Sequence, residues 1–481
     1  MSDEMERGLD CSRRAMLFRA AGGFGGLALA QLMDQERAAA DDQASTPSAV
    51  GGLHHPAKVR RIVQLFMNGG VSQMDTFDYK PELEKRHGQT VDVGLKATAT
   101  GTPGPLMKSP FPWKQHGECG RWVTDVLPHM ASCVDDLAFL MSMASKTNVH
   151  GPASYLQTTG FLLPGFPCCG AWVSYALGRL TENLPTFVVL PDPRGLPYNG
   201  LGDFSSGFLP TTHQGTVINP SAPTPIADLQ PAPGAKFVTP ESSEAGLRML
   251  QRMNRTYSDL RPGDSRLRAR VESYELAARM QLAAPEAFDL TKESISTHAA
   301  YGTDAAAHDG GFARNCLLAR RLLERGVRFV QVWSGAGGAS NNWDNHTNVP
   351  QELPPIARQV DRPIAALLND LKSRGMFEDT LVIWTTEFGR MPFTQSGTGR
   401  DHNGGTFVTW LAGAGIRGGT SVGQSDDFSY LATENKTTAH DLHATVLHLL
   451  GIDHERLTVR HNGIDRRLTD VHGNVIQSIL S

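Results

Sequence analysis

Between Phe312 and Leu411 the spacing of apolar residues switches twice from helical to strand-like. Phe312, Cys316, Leu317, Ala319, Leu322 and Leu323 recur at helical intervals, and Gly326 follows as a C-cap. Val327 to Trp333 is a short continuous apolar run. Ile356, Val360, Ile364, Leu367, Leu368 and Leu371 then mark one face of a helix over 354–374, and Leu381 to Thr386 and Thr406 to Leu411 are again strand-like. Strands buried on both faces and separated by amphipathic helices belong to parallel sheets, because each crossover lays a helix over the sheet. The pattern therefore predicts a three-layer α/β/α sandwich around a central, mostly parallel sheet. Arg61 to Met67, Leu137 to Met143 and Thr186 to Leu190 supply further strands, and 440–450 a last helix.

The first forty residues read as an address. Ser12-Arg13-Arg14-Ala15-Met16-Leu17 has the form of a twin-arginine export signal, followed by a weakly apolar stretch from Ala20 to Met33 and small residues at Ala38-Ala39-Ala40. The expectation is a leader over 1–40, a flexible linker over 41–58, and one domain over 59–481, with a Pro-, Gly- and Ser-rich surface excursion around 191–300. The protein would be exported, to the periplasm or beyond, with no stable membrane span once the leader is removed. A formal charge of −4 and no basic run after the leader argue against nucleic acid or an anionic membrane as partner. Past Cys11, five cysteines remain, an odd number that leaves at least one thiol unpaired; Cys119–Cys133, or a bond to one of Cys168 and Cys169, would be permitted in an oxidising compartment.

Chemistry gathers after the strands. Asp344 and His346 follow a Gly/Ser/Asn-rich turn, Glu387 follows the run Leu381 to Thr386, and His402 stands among Arg400, Asp401 and Asn403, which could orient its imidazole. In an open α/β sheet the carboxyl edge is where sites are built. Carboxylates and imidazoles from separate loops suit a divalent cation, zinc first, with calcium or manganese as alternatives. Arg390, three residues after Glu387, could clamp an anionic ester, or pair with a local carboxylate. Gln73 and Asp75 follow the Gly69-Gly70 turn and could reach the same place or cap a helix start; His443 and His448 read better as satisfied core or surface histidines.

Together these residues carry a resemblance. Asp344-Asn345-His346, the helix with Asp361, the strand end Thr385-Thr386-Glu387-Phe388-Gly389 and a later His402 resemble the alkaline phosphatase/sulfatase superfamily. Phe66-Met67-Asn68-Gly69-Gly70-Val71-Ser72-Gln73-Met74-Asp75 and Glu387-Phe388-Gly389-Arg390 are similar to a narrower bacterial family, domain of unknown function 1501, over about 60–475. The resemblance implies an alkaline phosphatase/sulfatase-like fold and one metal position on Asp344, His346 and His402. A second position would fall on Asn68 and Glu387, but Phe388 stands where that superfamily has a histidine. His150, ten residues before Gly160 in a segment ending Thr159-Gly160, takes the place of the sulfatase nucleophile. Three roles stay open for it: a metal ligand beside Glu387 and Asn68, a histidine nucleophile, or a vestige of lost catalysis. The resemblance implies a metal-dependent hydrolase of phosphate or sulfate esters, acting on a small anionic ester or a sulfated or phosphorylated carbohydrate. Without a serine or threonine nucleophile, attack by a water activated at the cation is the simpler mechanism. The alternative is a catalytically degenerate binding or scaffold protein on the same fold.

Overall fold

In a computed structural model, residues 52–92, 103–220, 239–261, 286–304, 310–338 and 340–481 are described, with a few positions between 267 and 280. The leader and its cleavage site lie outside these residues.

Eight strands form the main sheet: β1 (Arg61–Met67), β2 (Leu137–Met143), β3 (Phe187–Leu190), β4 (Thr216–Val217), β5 (Phe329–Ser334), β6 (Thr380–Thr385), β7 (Phe407–Gly413) and β8 (Thr420–Val422). Their spatial order is β8-β2-β7-β6-β1-β5-β3-β4. All neighbours pair in parallel except β7, which runs antiparallel to both β2 and β6. The sheet is thus mostly parallel, as its apolar runs imply. Five helices matter for the site: α1 (His150–Thr159), α2 (Cys169–Leu177), α3 (Gly311–Glu324), α4 (Val349–Ser373) and α5 (Ala439–Leu449).

Alternation along β1 divides the core. Val63, Leu65 and Met67 join the apolar cluster that contains α3 and α4, whereas Ile62 and Phe66 join the one that contains α2 and α5. Side chains of a strand alternate between faces, so the two clusters are the two faces of one sheet and the molecule has three layers. Two buried glutamines interrupt this apolar interior. Gln64 and Gln331 stand opposite each other in the β1–β5 register, and Gln331 Nε2 donates to Gln64 Oε1 at 2.8 Å. A slip of the register by one residue would separate them, so the pair pins β1 against β5.

Three boundaries and the cysteine pairing differ from the sequence reading. Helix α4 starts at Val349 rather than Pro354: Pro350 falls in its first turn, where N–H groups have no intrahelical partner, and Pro354, Pro355 and Pro363 are carried inside it. Residues 54–59 are not a free tether: the amides of His54, Lys58 and Val59 donate to the carbonyls of Gly451 and Leu449 at the end of α5. The first part of the expected surface excursion is packed, with Phe204, Leu209 and Ile218 buried and β4 closing one edge of the sheet. Pro and Gly there mark a change of direction and not exposure. Finally, Cys119, Cys133, Cys168, Cys169 and Cys316 are all free thiols, so neither suggested pairing forms; Cys119 is exposed and the others sit in the core.

Among the described residues no helix is long and apolar enough to cross a membrane.

Candidate metal centre

Strands β1, β2, β5 and β6 point the same way, and their carboxyl ends form one edge. The loops after them carry Asn68, His150, Asp344 with His346, and Glu387. His402 precedes β7, and because β7 runs the opposite way its start lies at that same edge. Five segments far apart in sequence therefore meet there.

At the centre stands the Asp344 carboxylate. Its Oδ1 is 2.7 Å from His346 Nε2, 3.0 Å from His402 Nε2 and 2.5 Å from Arg390 Nη2, and its Oδ2 is 3.3 Å from His150 Nε2. Ligand atoms of His150, Asp344, His346 and His402 all lie within 4.8 Å of one another. The structure thus brings His150 to the Asp344–His346–His402 trio.

What surrounds the imidazoles fixes their protons. His150 Nδ1 faces Glu387 Oε1 at 2.8 Å, His346 Nδ1 faces Gln395 Oε1 at 2.6 Å, and His402 Nδ1 faces the Asn148 carbonyl at 2.8 Å. Each partner is an acceptor, so each Nδ1 carries the hydrogen and each Nε2 of the neutral ring offers a lone pair inward. The Nε2 atoms of His346 and His402 are only 2.8 Å apart. Three neutral imidazoles and a carboxylate converging in this way form an arrangement that a divalent cation completes, and the outward hydrogen bonds are those that orient metal-ligating histidines. The donor set therefore fits a divalent cation.

Electrostatics agree. Burial opposes ionisation of Asp344, yet its close contacts with His150, His346 and His402 and the charge of Arg390 outweigh it and hold the carboxyl well below its usual range. For His402, burial wins, helped by the nearby charge of Arg390, and the imidazole is pushed down to about 4. Burial also works against a charge on His150, but hydrogen bonds to Asp344 and Glu387 reverse it and raise its pKa. His346 has the most accessible side chain of the four, 27% against 10–12%, so the centre opens to solvent on its side.

Other residues singled out by sequence take different places. Glu387, fully buried, accepts from the Gly69 amide at 2.8 Å, from Thr386 and from His150, so it braces His150 and stands outside the four-residue ligand cluster. Asn68 donates to the Gly335 carbonyl, and its Oδ1 is buried without a hydrogen-bond partner. Arg390 is not free to clamp an ester. Its donors go to Asp344 and to the carbonyls of Gly69, Gly70, Trp343 and Arg400, so the buried guanidinium ties three loops together. Arg400 and Asn403 do not orient the His402 ring either: Arg400 is paired with Asp75 at 2.6 Å, Asn403 bonds Tyr430, and Asp401 receives only the His402 backbone amide. Gln73 spans Arg390 and Ser429. Asp361 accepts from the amides of His129 and Met130, capping a short helix remote in sequence. His440 and His443 bond the carbonyls of Gly160 and Gln157, so α5 steadies the C-terminal end of the helix that presents His150.

Sequence reading missed Tyr198. Its ring stacks on His150 at 4.2 Å and 10°, while Phe388 lies at 4.9 Å from His150 and 4.7 Å from His402. A lone aromatic inside Pro197-Tyr198-Asn199-Gly200 was the available signal. Asn342 anchors it, donating to the Tyr198 hydroxyl and to the carbonyls of Ala336 and Gly338 while its Oδ1 receives the Asp344 amide.

A family profile described as "Protein of unknown function (DUF1501)" matches residues 59–480. The chain belongs to the DUF1501 family. Among curated proteins no relative matches it. Solved structures similar to this DUF1501 protein include the PsFucS1 sulfatase from Pseudoalteromonas sp., at 12% identity and a TM-score of 0.35, covering 82% of this chain and 68% of that one. Alkaline phosphatase from the Antarctic bacterium TAB5 aligns at 11% identity and a TM-score of 0.33, covering 83% and 99%. A phosphonate monoester hydrolase from Silicibacter pomeroyi aligns at 12% and 0.29, covering 68% of each chain.

One group beneath the DUF1501 centre makes stability depend on pH. Asp203 is buried behind α1, and burial pushes its carboxyl up to about 7 from an ordinary 3.8; bonds from Asn199 and Thr158 offset this and the charge of Glu387 adds to it. Between pH 4 and 7 the unfolded chain releases this proton while the folded one keeps it, so stability falls across that window as pH rises, by about 4 kcal/mol at most. Asp203→Asn removes the contribution. Urea midpoints at pH 4.5 and 7.5 should differ less in the variant than in the wild type; equal differences would rule this out.

Proposed function

We propose that this DUF1501 protein is an exported, metal-dependent hydrolase of phosphate or sulfate esters. The observation that carries the reading is the inward convergence of three Nε2 lone pairs and the Asp344 carboxylate at a solvent-reachable sheet edge. A zinc-type cation held by His150, Asp344, His346 and His402 would supply Lewis acidity toward an ester oxygen and toward water. The chain's own residues hold that arrangement. Glu387, Gln395 and the Asn148 carbonyl fix the three rings, Arg390 fixes Asp344, and Tyr198 and Phe388 wall His150 from bulk water. His150 serves as ligand here and not as nucleophile, because its free Nε2 faces the same centre as the other two. The sulfatase-like motifs point to the ester class, and the twin-arginine leader to export after folding.

One observation favours the scaffold alternative. Four protein ligands fill a tetrahedral shell, as in structural zinc sites, whereas catalytic ones keep a position open. The accessible His346 side supports the enzyme, since an expanded shell there could admit an ester oxygen. Metal analysis and turnover separate the two. The purified protein should hold about one equivalent of zinc, manganese or calcium, lost in His402→Ala, and cleave at least one member of a panel of chromogenic phosphate and sulfate esters. Metal retention with silence across the panel would leave the scaffold; a metal-free folded protein would remove both the cation and the hydrolase.

A further inference from the structure

A cavity of 890 Å³ opens beside the edge strand β8 and its neighbour β2 and shares no residue with the metal centre. Arg121 enters it from a hairpin formed by Trp113–His116 and Arg121–Thr124. Its guanidinium carbon lies 5.0 Å from the centre of the Phe139 ring and Nη1 donates to the Ser421 hydroxyl, but Nε is buried with no hydrogen-bond partner. Among the described residues no carboxylate comes within 4.0 Å of this arginine. Of the three acids that line the cavity, Glu434 makes no ion pair with Arg121, and the other two are engaged elsewhere. Asp78 takes Lys80 at 3.2 Å and the hydroxyls of Ser425 and Ser429, and Asp441 caps α5 through Thr438 and receives the Asn474 amide. A desolvated cation without an anion is costly to keep, whereas arginine beside an aromatic ring is well suited to a planar oxyanion. Burial pushes the Arg121 pKa down, with the charge of Asp78 opposing it. The rest of the lining is rich in hydroxyl and amide groups, and Tyr79, tilted against Trp122 with ring centres 4.4 Å apart, contributes an aromatic ring.

We propose that this cavity is a binding site for an acidic saccharide, its carboxylate or sulfate paired with Arg121, its hydroxyls met by the amide and hydroxyl wall and its ring lying near Tyr79. The site is independent of hydrolysis at the metal centre, and either can fail without the other. Isothermal titration of the full metal-loaded chain with glucuronate, inorganic sulfate and glucose tests it. Glucuronate should saturate one site, bind more tightly than inorganic sulfate, and lose about tenfold in affinity or more in Arg121→Gln, because a charge-assisted bond contributes roughly 1.5–3 kcal/mol. Glucose should not bind measurably, and His402→Ala should leave glucuronate affinity unchanged. Gln424→Trp, at an exposed strand position lining the cavity, should block binding without removing a partner of Arg121, so a folding defect in Arg121→Gln cannot shelter the idea. Sulfate as tight as glucuronate would overturn the saccharide assignment. Absence of saturable binding by either anion, or binding that survives both cavity variants, would overturn the site.

Discussion

Asp344→Asn is expected to lower metal affinity by about a thousandfold or more and to destabilise the fold at the same time. The carboxylate is where three imidazoles and a buried guanidinium meet. An amide keeps one acceptor oxygen, but it turns an N–H₂ donor either toward Arg390, which has only donors, or toward the imidazoles. Among the described residues Asp344 is the only carboxylate paired with Arg390, so the variant leaves that cation buried and uncompensated, a change that costs about 3 kcal/mol in such sites. Metal content after dialysis and the urea midpoint report the two effects separately. A variant with one equivalent of metal and an unchanged midpoint would remove Asp344 from the centre of the site.

Gly399→Ala is expected to disable the protein more completely. A Cβ at this position would stand 1.7 Å from the His346 carbonyl oxygen, 2.0 Å from its carbon and 2.5 Å from the Thr347 nitrogen. All three are backbone atoms, so no side chain can rotate away. The loop over 395–400 would have to part from His346, breaking the Gln395–His346 bond and the bond from the Arg400 amide to the Asn345 carbonyl. Core-like overpacking of this kind costs about 3 kcal/mol or more. Low soluble yield, or a folded product without metal, is the expected outcome. Gly397→Ala is the control. Its Cβ would meet nothing within 4 Å, and only a backbone φ of +97° opposes it, so a loss of about 1–2 kcal/mol is expected. Similar behaviour of the two variants would mean that the contact with His346 is not what Gly399 preserves.

The sheet was legible because parallel strands need unbroken apolar runs, and Arg61–Met67 and Leu137–Met143 have the bounds that their composition suggests. What lies between strands was less so. Asp344 and His346 are close in sequence, but their approach to His150 depends on β2 and β6 lying on either side of an antiparallel β7, a pairing that no local pattern encodes. Arg390 reads from sequence as an ester clamp or a partner of a local carboxylate; the second holds, but its bonds to backbone carbonyls, which every residue has, leave no mark in the sequence. Tyr198 and Asn342 lie in stretches whose glycines and prolines announce turns without saying where the turns lead. His440 and His443, by contrast, serve packing and hydrogen bonding, as a helix of mixed apolar and imidazole residues suggests.

The oxygens that grip the outer nitrogens of the three rings come from the Glu387 side chain, the Gln395 side chain and the Asn148 backbone, none of them among the four ligands. The entropy of arranging the cage is therefore met when the polypeptide folds, before any ion arrives. Loading would then be a capture step at a finished socket, and an ion would leave and return without the chain passing through an unfolded state.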